Sequence, residues 1–145
     1  MRQGLLVFGA TLAIATVALA HTGVKNPTVL ARMHTMLLIG DATKVLGEMA
    51  KGTTPFDAAK AEEALASIAA KAADVPALFK AQEDDPKSEA LPAIWEDYED
   101  FSAKAKALEI AASEAAGSLT SVQEVGAALQ SIGQTCKGCH SQYRE

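Results

Sequence analysis

Close to its C-terminal end the chain reads Gln134-Thr135-Cys136-Lys137-Gly138-Cys139-His140-Ser141-Gln142-Tyr143-Arg144. Cys-x-x-Cys-His is the attachment signature of c-type haem: two thiols add across the vinyl groups of the macrocycle while the adjacent imidazole ligates the iron. On a helix, Cys136, Cys139 and His140 stand at i, i+3 and i+4, so both sulfurs and the imidazole leave from one face. Such a face holds one flat macrocycle at its edge and at its metal. The signature therefore asks for a helical chain with room beside its last helix.

Three other chemistries use the same residues. A thioredoxin-like redox site needs a strand before its helix, and nothing upstream of Cys136 reads as a strand. Zinc wants four ligands, so the cysteine pair and His140 would need a distant His21 or His34 to complete the set. A simple Cys136–Cys139 disulfide is the third alternative.

The N-terminal residues bear on the choice. Met1-Arg2-Gln3 carries one positive charge, Gly4 to Leu19 is uncharged and mostly apolar, and Ala18-Leu19-Ala20 places small residues two apart before His21. This pattern predicts a cleavable secretory signal over residues 1–20 and a mature domain over residues 21–145. The competing reading, a retained anchor, has a run only marginally long enough to span a bilayer. Exported thiols become disulfides unless something captures them first, and haem attachment accounts for the only two cysteines of the chain.

About 125 residues would remain after cleavage, enough for one domain with a single core. The formal net charge of −5 becomes one unit more negative when Arg2 leaves. That balance argues against nucleic acid and anionic membrane as partners and favours a soluble protein that meets neutral or basic surfaces.

Alanine dominates, β-branched runs are absent, and glycine and proline gather at a few points, which predicts helices. The first opens at Asn26-Pro27 and closes at Gly52, with Val29, Met33, Met36, Leu37, Gly40, Leu46 and Met49 as its apolar stripe. The second starts after Asp57 and is expected to stop at Pro76. A polar connection follows to Pro92, with Leu78 and Phe79 turned inward. The third helix is expected to run unbroken from near Pro92 to Gly117, through Trp95, Tyr98 and Phe101. The fourth begins at Thr120 or Ser121, with Glu124 placed for a capping box, and carries the haem signature on its inner side. Four helices with a long second connection suit an all-α, antiparallel four-helix bundle around a covalently bound haem.

With these elements in place, the chain resembles the class II c-type cytochromes, the group of cytochrome c′ and its low-spin relatives. The resemblance rests on haem attachment near the C-terminus, on His140-Ser141-Gln142-Tyr143-Arg144, on Met49-Ala50-Lys51-Gly52 with Pro55-Phe56-Asp57, and on Ala93-Ile94-Trp95. It implies Cys136 and Cys139 as thioether positions of one haem c and His140 as the proximal iron ligand. It implies Arg144 beside the proximal imidazole, Arg32 near a haem propionate, and Met36 facing the distal side of the iron. Met33, three residues before Met36, can occupy nearby space; His34 points elsewhere and is expected at the surface.

In low-spin members a methionine at the Met36 position is the sixth ligand, which gives a one-electron carrier of the periplasm. In cytochrome c′ proper a bulky apolar residue there leaves the iron five-coordinate, open to nitric oxide or carbon monoxide. The leading expectation is the electron carrier, with gas binding as the alternative and a haem-free zinc or disulfide bundle as a remote one. The carboxylates form solvated runs, with no acid–base constellation, so an enzyme is not expected. Relatives often pair through their first two helices, so a homodimer is the assembly this resemblance allows; the redox partner proteins are not specified by it.

Overall fold

The computed structural model describes residues 23–145; the expected signal over 1–20 and His21 lie outside the described residues. Five helices make up the described chain: α1 (Pro27–Ala50), α2 (Ala58–Leu78), α3 (Ala93–Glu96), α4 (Tyr98–Ala115) and α5 (Val122–Tyr143). Each boundary has a local cause. Asn26 Oδ1 accepts from the backbone N–H of Thr28 at 2.8 Å and of Val29 at 3.2 Å, and Pro27 follows at the first helical position. Gly52, at φ +72°, closes α1 in the left-handed conformation that a side chain would resist. Asp57 caps α2 through Lys60, and Ser121 caps α5 through Glu124, as the sequence predicts.

Two expectations fail at prolines and their neighbours. Pro76 does not stop α2, which continues to Leu78. Pro76 lacks an N–H and its ring crowds the preceding turn, but so near the helix end the later Phe79 N–H still reaches the carbonyl of Val75 at 3.2 Å. The third helix is not continuous: Asp97 (φ −132°, ψ 64°) separates the single turn of α3 from α4. Its side chain accepts from Asp100 N–H at 3.2 Å, so the aspartate acts as a fresh N-cap inside an otherwise helical pattern.

The long helices form a closed ring of four, α1 against α2 and α5, α4 against α2 and α5. Leu46, Leu65, Ile68, Ile94, Val125 and Ile132 are fully buried at its centre. Buried alanines at 61, 64, 72, 105, 112 and 128 let the helices approach closely. Phe79 turns inward as expected and meets Phe101, with ring centroids 5.0 Å apart. Among the described residues no helix is long and apolar enough to cross a membrane.

The connection between α2 and α3 is polar but tied down on every side. Asp85 is buried, and its carboxylate accepts from the backbone N–H groups of Lys25, Asn26 and Lys87. Trp95 Nε1 donates to the carbonyl of Phe79 at 2.8 Å, and the Tyr98 hydroxyl donates to that of Pro76. At the far end of the connection, residues 89–91 lie against the last turn of α5. The loop thus spans the end of the bundle where the haem signature sits.

Candidate functional site

The apolar stripe read from α1 splits into two faces. Val29, Arg32, Thr35, Ile39, Ala42, Leu46 and Met49 point into the core. Met33, Met36 and Leu37 are less covered: the methionines are half-buried, Met36 while still packing against the core, and Leu37 keeps 40% of its surface exposed. Apolar side chains left partly uncovered call for something to cover them. What faces them is a cavity of about 340 Å³, bounded on α1 by Val29, Arg32, Met33, Met36 and Leu37 and on α5 by Cys139, His140, Tyr143 and Arg144. Phe79, Ile94 and Phe101 form its floor, and Ser88, Glu89 and Ala90 of the loop close one side. Its size lies in the ordinary range of cofactor and ligand sites, roughly 300–1,000 Å³.

The helical spacing of the signature is realised: Cys136, Cys139 and His140 all lie within α5 and are all half-buried. The two thiols are free. Burial pushes both above their ordinary pKa, with Lys104 partly opposing this at Cys139, so they rest as thiols. Burial, assisted by the Arg144 cation, pushes His140 below its usual value, while Glu89 opposes the shift. This shift favours the neutral imidazole, the form that binds a metal.

Tyr143, one turn beyond His140, is buried with its ring edge against Phe101 at 5.3 Å between centroids. Its hydroxyl donates to Asp100 Oδ2 at 2.6 Å. This bond raises the phenol to about 12 and lowers the carboxyl of Asp100, whose partners also include Lys104.

Arg32 is 3% exposed. Its Nε, Nη1 and Nη2 donate to the carbonyls of Leu78, Glu83 and Ala81 at 3.0, 2.8 and 2.6 Å, and its guanidinium lies 4.6 Å from the centre of the Phe79 ring and 5.4 Å from that of Trp95. It thus anchors the loop while lining the cavity, and one N–H on each terminal nitrogen remains beyond these three bonds. Arg144 lines the same cavity as His140 and is paired with Glu89, a residue the sequence patterns did not single out. His34 is exposed and does not line the cavity. Among the described residues no group of three or more His, Cys, Asp or Glu is placed to hold a metal ion, so the zinc arrangement through His34 does not form.

The donors fit a covalent haem. Cys139 and His140 line the cavity from α5, Cys136 stands half-buried one turn earlier on the same helix and outside the lining, and the thioethers of Met33 and Met36 and the guanidinium of Arg32 line the cavity from α1. The comparisons agree with that fit. The family described as Cytochrome C′ matches residues 28–144, and the chain belongs to it: this is a class II c-type cytochrome, a c-type haem protein of an electron-carrying family. Cytochrome c-556 of Agrobacterium tumefaciens is 39% identical over 115 residues, covering 79% of this chain and 91% of that protein. Cytochrome c′ of Rhodopseudomonas palustris is 32% identical over 142 residues, covering 97% and 91%. The solved structure of cytochrome c′ from Rhodopseudomonas palustris superimposes with a TM-score of 0.77 at 32% identity, over 83% of this chain and 98% of that one.

Proposed function

We propose that this chain is a low-spin electron carrier of the periplasm, with His140 as proximal and Met36 as distal iron ligand and thioether links at Cys136 and Cys139. The observation that carries the reading is that Met36 and His140 line the same cavity from two neighbouring helices, α1 and α5. Haem iron would supply a one-electron ferric–ferrous couple, and His140 with Met36 would hold it in both states, which would keep rearrangement between them small. The chain supplies the rest. The α1–α5 packing sets the spacing of the two ligands, the apolar floor excludes water, and the remaining N–H groups of Arg32 are available to a propionate. Export rests on the signal over residues 1–20. An excess of acidic residues favours redox partners with neutral or basic surfaces, and a homodimer through α1 and α2 is the assembly consistent with the family.

A second reading has its own support. Met33 and Leu37 line the same side of the cavity as Met36, so apolar bulk alone could cover a five-coordinate iron that takes nitric oxide or carbon monoxide.

Visible absorption and electron paramagnetic resonance of the ferric protein at neutral pH separate the two. A low-spin signal that becomes high-spin in Met36→Ala is the expected result, together with faster carbon monoxide uptake by the reduced variant. A high-spin signal in the unmutated protein, with ready carbon monoxide uptake, would transfer the assignment to gas binding.

A further inference from the structure

Glu89 and Arg144 are set side by side by the backbone before their side chains meet. Residues 89–91 run antiparallel to residues 143–145 for a single bridge, Ala90 opposite Arg144. Leu91 N–H donates to the Tyr143 carbonyl and Glu145 N–H to the Glu89 carbonyl, both at 3.0 Å. Across this clasp Arg144 Nε donates to Glu89 Oε2 at 2.6 Å, and Nη2 reaches the same oxygen. The Arg144 N–H also closes the last turn of α5 on the carbonyl of His140 at 3.2 Å. Both charged side chains line the cavity that His140 lines.

We propose that Glu89 is a positioning residue for electron transfer: it fixes the Arg144 guanidinium beside the proximal imidazole and offsets its charge, and so sets the reduction potential of the iron. The inference rests on the haem-carrying reading, not on which residue is the distal ligand.

Oxidation adds one positive charge at the iron. A neighbouring cation opposes that gain and favours the ferrous state; a neighbouring anion does the reverse. Arg144 and Glu89 in contact largely cancel, and removing one leaves the other uncompensated. The two side chains remain 51% and 55% exposed, so their pairing adds little to stability. Single substitutions should therefore fold, and their electrostatic effect should weaken with salt.

The test is a spectroelectrochemical titration at pH 7 of the haem-loaded protein and of Glu89→Gln, Arg144→Gln and the double variant. Poised at the wild-type midpoint, Glu89→Gln should shift the ferrous-to-ferric ratio up about threefold and Arg144→Gln down about threefold. The double variant should return close to the unmutated ratio, and both single shifts should shrink in ~1 M salt. Single shifts of the same sign, or none, would overturn the proposal, as would a changed ferric spin state in Glu89→Gln, which would mean that Glu89 acts by holding the fold. A colourless product from cells equipped for haem attachment would remove the haem-carrying reading and this inference together; a haem-loaded protein with unmoved potentials would remove this inference alone.

Discussion

Tyr143 shows how one hydroxyl can hold the turn that bears His140. Its bond to Asp100 joins α5 to α4, and the two groups shift apart in opposite directions, the phenol up to about 12 and the carboxyl below its ordinary range. The carboxyl contribution is present above the unfolded carboxylate pKa, ~4, and is lost as pH falls through its lower folded value. The phenol contribution is complete below the unfolded tyrosine value of ~10 and is lost as pH rises through the folded value. Tyr143→Phe should therefore lower the thermal midpoint by about 3–5 °C between pH 6 and 9, and the gap should close toward pH 11–12. A gap that stays constant to high pH would show that the hydroxyl bond contributes nothing. At this scale, sequence legibility followed covalent chemistry. The spacing of Cys136, Cys139 and His140 stood out in the sequence because haem attachment would demand it, and all three lie within α5. Glu89 did not stand out, because it lies in an irregular segment and meets Arg144 only through a contact between residues 55 apart in sequence.

The helices were readable where their ends carry caps and where one face is buried. Asn26, Asp57 and Ser121 all cap as their residue types predict. The stripe on α1 was only half right, because Met33, Met36 and Leu37 repeat at helical spacing yet line the cavity, with Met36 also packed against the core. Hydrophobic periodicity reports that a face is covered, not what covers it. Asp97 was hidden for a related reason: Trp95, Tyr98 and Phe101 keep a regular spacing across the break, which masked the new helix start. If the Asp97 side chain is what defines that start, Asp97→Ala should destabilise the fold by about 1 kcal/mol, and Asp97→Ser or Asp97→Asn should recover most of it. Urea unfolding of the three variants gives the comparison. Equal loss in all three would place the cause in the backbone geometry at residue 97 and not in the cap.

Across the whole molecule, one irregular connection ties the first and last helices to the same end of the bundle. Residues 83–85 grip the start of α1, Arg32 reaches from α1 to three carbonyls between residues 78 and 83, and residues 89–91 clasp the end of α5. Its inward-turned Phe79 was legible; its long-range hydrogen bonds were not, since they join residues as many as 60 apart. Asp85 is the centre of the first grip. Backbone N–H groups of Asn26, Lys25 and Lys87 stabilise its ionised form and lower its pKa, against the opposing effect of burial. A lowered folded value means that the contribution is present above the unfolded carboxylate pKa, ~4, and is lost as pH falls through the folded value. Asp85→Asn keeps the shape but weakens acceptance from three donors, so its thermal midpoint at pH 7 should fall by roughly 5 °C. Because protonation does to the unmutated protein what the amide does to the variant, the difference should narrow steadily below pH 4. Because the same connection borders the cavity lined by His140, limited proteolysis of Asp85→Asn at pH 7 should cleave first between residues 80 and 90. Cleavage elsewhere with the midpoint unchanged would mean that the clasp on α5, and not the grip on α1, holds the connection in place.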